Sequence, residues 1–287
     1  MLLTVDHLTR YTYDQPVRGV VQSHRLTPSL CDMQKVIDWS VTVTDGLPGG
    51  AFRDGAGDWI AAWSVQGPVQ EICVHVKGTV ETFDQAGVLR GLKAPVRPEV
   101  YLRDTHATGA DEALRDLAAS GRASDSLAGA HALMAAVADA VAYTPGTTKA
   151  HTTAAEALAL GQGVCQDHAQ IMVACARIIG LPARYVSGYL YAPEGLAEDV
   201  PHEAAHAWAE LHIEGLGWVG FDAANKCSPD ARYIRLGSGF DAQDAAPIRG
   251  IARGTGEELM DVRLSVGAGA GSAAGSAAGK SGQEQQQ

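Results

Sequence analysis

The chain has 287 residues, with 22 Lys and Arg against 33 Asp and Glu, and its formal net charge is −11. Because 46% of the residues are hydrophobic and 19% are charged, the chain can bury a core. An acidic chain without a local basic patch repels phosphate backbones, which argues against a nucleic-acid partner. No uncharged apolar segment reaches the roughly 18 residues that a membrane-spanning helix needs, which argues against a membrane protein.

The compartment follows from the first residues and from the cysteines. Asp6, His7 and Arg10 interrupt the N-terminal apolar residues before a secretion-signal core can form. The five cysteines are Cys31, Cys73, Cys165, Cys175 and Cys227. Their number is odd and no C-x-x-C pair occurs, which argues against a disulfide framework and against a thiolate zinc site. We therefore expect a cytoplasmic protein with free thiols.

Strand-like alternation characterises the first 108 residues. Apolar and polar residues alternate in the stretches 3–8, 38–43 and 72–76. Turn residues separate these stretches at Gly49-Gly50, at 54–58 and at Gly67-Pro68. The pattern predicts a β-rich, sandwich-like N-terminal module over residues 1–108.

The period changes to a helical one after residue 108. Helices are predicted over 111–119, 124–143, 153–160 and 165–179. The third begins with a capping box, Thr153 followed by Glu156, and ends at Gly161. The fourth is apolar almost all round, which predicts a helix inside the protein.

Strand patterns return at 183–190, 206–213 and 218–222, with a glycine-bearing turn at 214–217 between the last two. The sequence thus predicts an α+β fold in which a core of helices on an antiparallel sheet spans 109–266. Residues 267–287 are a Gly/Ala/Ser/Gln tract, and we expect a disordered tail there.

One combination of residues suggests nucleophilic catalysis. Cys165 opens the buried helix after Gly163, where free N–H groups and the helix dipole favour a thiolate and can stabilise an oxyanion. His206 and Asp222 lie on two later strands, where an imidazole could take the thiol proton and a carboxylate could orient that imidazole. The other four cysteines have no such setting and are interpreted as small buried residues.

A second pattern competes for the same histidine. Residues 202–206 read H-E-x-x-H, with His212 as a third possible ligand, so His202, Glu203, His206 and His212 could form a zinc protease site. Ala209 stands where that motif needs glycine, and the segment continues into a strand-like pattern, which argues against a helix. We therefore predict no metal and no other cofactor.

The segments GQGVCQDHAQIMVACARIIGLPARYVSGYL and HAWAELHIEGLGWVGFDAANKC resemble the bacterial transglutaminase-like superfamily. HLTRYTYDQPV, QSHRLTP and VHVKGTVET resemble the β-rich N-terminal region found with that family. By position, the resemblance implies Cys165 as nucleophile, His206 as general base and acid, and Asp222 as the orienting carboxylate. It implies a papain-like catalytic core and acyl transfer from a peptide or protein-derived amide, either to water, as in a cysteine hydrolase, or to an amine.

The resemblance leaves three questions open. No tryptophan lies between residues 64 and 207 to serve as the second oxyanion donor of eukaryotic transglutaminases, and Tyr143 is a candidate in its place. The calcium-binding carboxylate clusters of those enzymes have no counterpart. The same fold could also serve as a non-catalytic binding scaffold.

A triad also requires a particular strand register. His206 and Asp222 can share a face of neighbouring antiparallel strands only if paired residues sum to an even number. A simple turn that pairs Ile213 with Trp218 would place them on opposite faces. The sequence therefore predicts an odd-length loop around Gly215 or a β-bulge between the two residues.

Overall fold

A computed structural model describes residues 1–192 and 205–269. Its strands, in chain order, are β1 (Leu2–His24), β2 (Gln34–Val43), β3 (Gly46–Arg53), β4 (Trp59–Thr82), β5 (Ala142–Tyr143), β6 (Gln162–Gly163), β7 (Ala183–Leu190), β8 (Ala205–Ile213), β9 (Gly217–Phe221), β10 (Tyr233–Gly239), β11 (Ile248–Ala252) and β12 (Glu258–Ala268). The α-helices are α1 (Glu112–Ala118), α2 (Ser126–Ala140), α3 (Ala154–Leu160) and α4 (Cys165–Ile178). The chain is thus an α+β protein, as predicted.

The N-terminal strands form one antiparallel sheet of six strands in the order β11-β1-β4-β2, with β12 also on β1 and β3 also on β4. The long strands β1 and β4 run side by side, and their register shifts near Val17, where the pairing is interrupted. Alternate residues of β1 are buried, because one face of the sheet packs against the rest of the protein. This alternation is the pattern that the sequence showed.

The second sheet has the order β10-β7-β8-β9 and is antiparallel throughout. Helix α4 packs against β7 and β8, and α1, α2 and α3 surround α4. Twelve of the fourteen residues of α4 are buried, which confirms the prediction of an internal helix. The helix positions Cys165, its first residue, at the end of the sheet that carries His206.

The end of the chain differs from the predicted boundaries. Residues 248–266 were predicted to belong to the core, but β11 and β12 both pair with β1 and complete the N-terminal sheet. The predicted tail begins at 267, whereas Gly267 and Ala268 belong to β12 and the Gly269 N–H donates to the Leu2 carbonyl. Long-range pairing with β1 has no local signature, so the sequence pattern could not assign these residues. Residues 270–287 lie outside the described part of the chain.

A buried ionic cluster joins the two sheets. Arg235 of β10 donates from its guanidinium to Asp58 at 2.6 Å and to Glu210 at 2.8 Å, and Arg184 donates to Glu210 at 2.7 Å. Asp58 precedes β4 of the N-terminal sheet, while the other three residues belong to the core sheet. All four side chains are at most 3% exposed. Two positive and two negative charges neutralise one another there, which a buried cluster requires.

In the described ranges no helix is long and apolar enough to span a membrane.

Candidate active site

The residues before Cys165 fix the start of α4. The carboxylate of Asp167, in the first turn, accepts from the Val164 N–H at 2.8 Å and from the Thr148 hydroxyl at 2.7 Å. A Cβ on Gly163 would come within 2.6 Å of that carboxylate, so only glycine fits before it. Asp167 therefore stabilises the helix N-terminus and holds the strand-to-helix turn in which Cys165 lies.

Cys165 is the first residue of α4 and is 6% exposed. At this position the backbone N–H points out of the helix and has no intrahelical acceptor. Within the described residues no hydrogen bond occupies it. The thiol and a free N–H donor thus meet at one helix end, which is the arrangement that attack on a carbonyl and stabilisation of the resulting oxyanion require.

The register of β8 and β9 brings His206 and Asp222 to one face. Ile213 pairs with Gly217 and His212 with Trp218, so the connecting loop contains the three residues 214–216. Of the two predicted alternatives, an odd-length loop or a β-bulge, the structure has the odd-length loop. Asp222 follows β9 directly, and its Oδ2 accepts from His206 Nε2 at 2.6 Å. Because Nε2 faces the carboxylate, Nδ1 is the ring nitrogen left for the Cys165 thiol.

Two residues that sequence reasoning missed complete the surroundings of Asp222. The Tyr233 hydroxyl and the Asn225 amide each donate to Oδ2 at 2.7 Å, and the Asn225 backbone N–H donates to Oδ1 at 3.1 Å. The sequence could have indicated Asn225, because an aspartate side chain often accepts a hydrogen bond from the backbone N–H of a residue shortly after it in a turn. Tyr233 begins β10, and only the tertiary fold brings it to Asp222.

The electrostatics of this pair are strongly coupled. Burial by itself would lower the pKa of His206, but the negative charge of Asp222, its hydrogen bond and the neighbouring Cys165 outweigh burial and raise that pKa to about 10. For Asp222, burial raises the pKa, while the charge and hydrogen bond of His206 outweigh it, so the net shift is downward. The Asp222 carboxylate therefore favours the protonated form of the His206 imidazole.

Trp208 covers the imidazole from the same strand face. Its ring stacks on that of His206 with an interplanar angle of 25°, and Trp208 is 2% exposed. Gly188 pairs with His206 across β7 and β8, and a Cβ there would come within 2.6 Å of the Trp208 ring. The glycine thus makes room for the ring that excludes water from one side of His206.

The zinc alternative fails where the structure can test it. His202 and Glu203 lie outside the described residues, but His206 is on β8 and not on a helix. His212 is six residues further along that strand, about 20 Å away, with its ring edge against Trp218. Among residues 1–192 and 205–269 no group of three or more metal-binding side chains is found.

The remaining candidates are placed as follows. Tyr143 lies on β5 opposite Gly163, close in the fold to the lead-in of Cys165, and its ring is 6.3 Å from that of His168. Its role as an oxyanion donor stays a prediction.

Burial raises the pKa of Cys31 to about 11 and that of Cys175 to about 12, and it also raises that of Cys227. These three thiols are therefore held protonated at neutral pH.

Comparison with known proteins identifies the family of the chain. Residues 115–223 match the Transglutaminase-like superfamily, and residues 3–81 match the Bacterial transglutaminase-like N-terminal region. The uncharacterized protein ML0607 of Mycobacterium leprae is 29% identical over 276 residues, which cover 92% of this chain and 98% of that protein. The uncharacterized protein Mb2599c of Mycobacterium bovis is 39% identical over 131 residues, or 43% of this chain and 42% of that protein.

Among solved structures, the "Putative Cysteine Protease from Cytophaga hutchinsonii" superposes with a TM-score of 0.70 at 20% identity, covering 93% of this chain and 90% of that one. At that identity the likeness establishes the fold. The chain therefore belongs to the transglutaminase-like superfamily, with the core over residues 115–223 and the bacterial N-terminal region over residues 3–81.

Proposed function

We propose that the protein is a cysteine hydrolase that cleaves an amide, peptide or isopeptide bond through a thioester. The observation that carries the proposal is the 2.6 Å bond between His206 and Asp222, next to a cysteine at a helix N-terminus. In this scheme Cys165 is the nucleophile, His206 the general acid and base, and Asp222 the group that holds the imidazole in position.

The steps follow from these positions. The Cys165 thiol gives its proton to His206 as the sulfur forms a bond to the amide carbon, and the oxyanion that results is held by the Cys165 N–H. His206 gives that proton to the departing nitrogen, the C–N bond breaks and a thioester remains. His206 then takes a proton from water, whose oxygen attacks the thioester carbon. The C–S bond breaks, His206 returns the proton to the Cys165 sulfur, and the acid and the free cysteine are released.

An amine in place of water would give amine transfer, the leading alternative. Hydrolysis and amine transfer differ only in the molecule that accepts the acyl group from the thioester, so product analysis distinguishes the two reactions. The test is turnover of a peptide and isopeptide set in 18O-labelled water with and without added primary amine. Hydrolysis predicts one labelled oxygen in the acid product, and transfer predicts the amine adduct as the main product.

The enzymatic proposal itself is tested on the thiol. Under limiting iodoacetamide near neutral pH, Cys165 should be alkylated before the other cysteines, because Cys31, Cys175 and Cys227 are held protonated. Cys165→Ala should abolish turnover, while the matched variant Cys73→Ala should keep it. Faster labelling of Cys31 or Cys227, or turnover by Cys165→Ala, would contradict the proposed nucleophile and favour a binding scaffold.

We further propose that the protein works in the cytoplasm. All five cysteines are free thiols in the structure, and a thiol nucleophile stays active in a reducing compartment. Fractionation of the producing cells should find the protein in the cytoplasmic fraction, and recovery from the periplasm or the medium would refute this assignment.

A further inference from the structure

A large cavity lies between the N-terminal sheet and the core. Its volume is about 770 Å³, within the range of small-molecule and peptide sites. Thr9 and Tyr11 of β1, with Met260 and Val262 of β12, form the wall on the side of the N-terminal sheet. These residues share one face, because β1 and β12 pair Thr9 with Val262 and Tyr11 with Met260. The N-terminal module therefore forms one wall of this cavity.

The opposite wall lies beside the candidate active site. Gln166 and Ala205 line the cavity, and they are the chain neighbours of Cys165 and His206, which do not themselves line it. Tyr185 of β7 lines it as well and lies close enough to Cys165 for the two groups to interact electrostatically. A molecule in the cavity would thus lie between the residues that flank the reacting thiol and the N-terminal sheet.

The charges of the lining select the kind of ligand. Among the described residues, the lining contains the carboxylates Glu156 and Asp241 but no Lys or Arg. His7 contributes no positive charge, because burial lowers its pKa to about 4, and its ring nitrogens contact Tyr189 and Thr9. His106 and His151 also line the cavity and interact with the carboxylate of Glu156. A negatively charged group would find no permanently charged counter-ion in this lining and would be repelled by the two carboxylates.

Tyr185 brings a hydroxyl to this wall. The residue as a whole is 5% exposed, and it lines the cavity. Burial, and to a lesser extent Cys165, raises the pKa of Tyr185 well above its usual value, so the hydroxyl keeps its proton. Because Tyr185 lines the cavity, its hydroxyl can donate to an acceptor on a ligand there.

From these observations we propose that the cavity binds an uncharged, apolar segment of the amide substrate next to the bond that is cleaved. Tyr185 donates a hydrogen bond to a carbonyl oxygen of that segment, and Met260 and Val262 contact its apolar part. This inference rests on the proposed function, since it takes Cys165 as the reacting group. It assigns the N-terminal module a part in substrate selection.

The test uses chloroacetamides, which alkylate a thiol with loss of chloride and carry a chosen group on nitrogen. The probes are chloroacetamide, N-hexylchloroacetamide and N-(5-carboxypentyl)chloroacetamide, and the measurement is the second-order rate of Cys165 alkylation in the full-length protein. The hexyl probe should react on the order of tenfold faster than the parent compound, because its methylenes leave water. The carboxypentyl probe should lose most of that gain.

Neighbouring residues of β12 provide matched variants. Met260 and Leu259 are both exposed, at 63% and 72%, but only Met260 lines the cavity. Met260→Trp should reduce the hexyl advantage at least threefold, and Leu259→Trp should leave it unchanged. Met260→Lys should raise the rate of the carboxypentyl probe, and Leu259→Lys should not. Tyr185→Phe should slow the hexyl probe about threefold to tenfold, the effect of one lost hydrogen bond.

Each outcome separates this inference from the proposed function. If Cys165 reacts selectively with chloroacetamide but the three probes react alike, the nucleophile stands and the cavity assignment is wrong. Equal effects of the Met260 and Leu259 variants would also overturn it. If Cys165 shows no selective reaction with any probe, the proposed function fails first.

Discussion

Strand β8 contributes to two buried charged clusters that differ in kind. At one end, His206 binds Asp222, with Tyr233 and Asn225 as neutral donors. Four residues further along, Glu210 lies between Arg184 and Arg235, which also binds Asp58. The first cluster has a single carboxylate and a group that can release its proton, whereas the second has two full charges of each sign.

The difference follows from the residue types. Guanidinium groups stay charged at every accessible pH, so the cluster around Arg235 cannot change its charge state and is suited to joining the two sheets. An imidazole, unlike a guanidinium, can gain or lose a proton at accessible pH. His206 in the cluster at Asp222 can therefore exchange a proton with a neighbour. Permanent charges thus hold the architecture, and a titratable pair is placed where chemistry is proposed.

The largest expected effect tests the permanent cluster. Arg235→Met leaves Asp58 without its cation and Glu210 with only one, and it should lower the free energy of unfolding by about 3–5 kcal/mol. Chemical denaturation followed by circular dichroism measures this. Arg249→Met is the matched control, because its ion pair with Asp244 is 3.5 Å long and its side chain is 52% exposed. A change below about 1 kcal/mol in Arg235→Met would show that the cluster does not hold the sheets together.

The next effect tests the titratable cluster. Asp222→Asn removes the charge that raises the pKa of His206, so burial should then lower that pKa and kcat/KM should fall by about 100-fold or more. Asp230→Asn, at a half-exposed ion pair with Arg232, is the control and should have little effect. NMR titration of the His206 ring measures the pKa, and an unshifted value in Asp222→Asn would contradict the coupling.

The same pair makes stability depend on pH. Since the folded-state pKa of His206, about 10, lies above the unfolded value of 6.5, the stabilisation from this group is complete below pH 6.5. It is lost as the pH rises through about 10. Between pH 6.5 and pH 9.5 the free energy of unfolding should therefore decrease in the wild type, and it should decrease less in Asp222→Asn. An equal decrease in the free energy of unfolding in both proteins would contradict a raised pKa of His206.

A smaller effect concerns a neutral donor of the same cluster. Tyr233→Phe deletes the hydroxyl that donates to Asp222 at 2.7 Å and should reduce kcat/KM about tenfold with KM nearly unchanged. The pKa of His206 should rise slightly further, because Asp222 then has one donor fewer to compete with the imidazole. A purely structural role would instead lower stability without changing the pH profile.

The smallest effect lies outside both clusters and sets the baseline. Removal of residues 270–287 should change the free energy of unfolding by less than about 0.5 kcal/mol, the range of surface changes. Removal of 267–287 should cost more, because it also deletes the pairing of Gly267 with Thr4 and of Ala268 with Leu3. Equal stability of the two truncated proteins would show that the end of β12 contributes nothing.

The sequence by itself determined the features that depend on local interactions. The capping box of Thr153 and Glu156 is present, with hydrogen bonds of 3.2 and 2.9 Å, and α3 ends at Gly161 with a φ of 66°. The burial of α4, the position of Cys165 at its start and the odd-length loop after β8 follow from spacing that a linear pattern contains. Such features involve residues within a few positions of one another, so their energetics can be read along the chain.

Tertiary structure alone decided the rest. The pairing of β12 with β1 joins residues 3–13 to residues 258–268, and the contact of Tyr233 with Asp222 requires the course of the loop between β9 and β10. The cluster of Asp58, Glu210 and Arg235 unites residues from both sheets. Contacts between distant parts of a chain form only after loop closure and packing have fixed where each element lies. No periodicity or spacing in the sequence records that outcome.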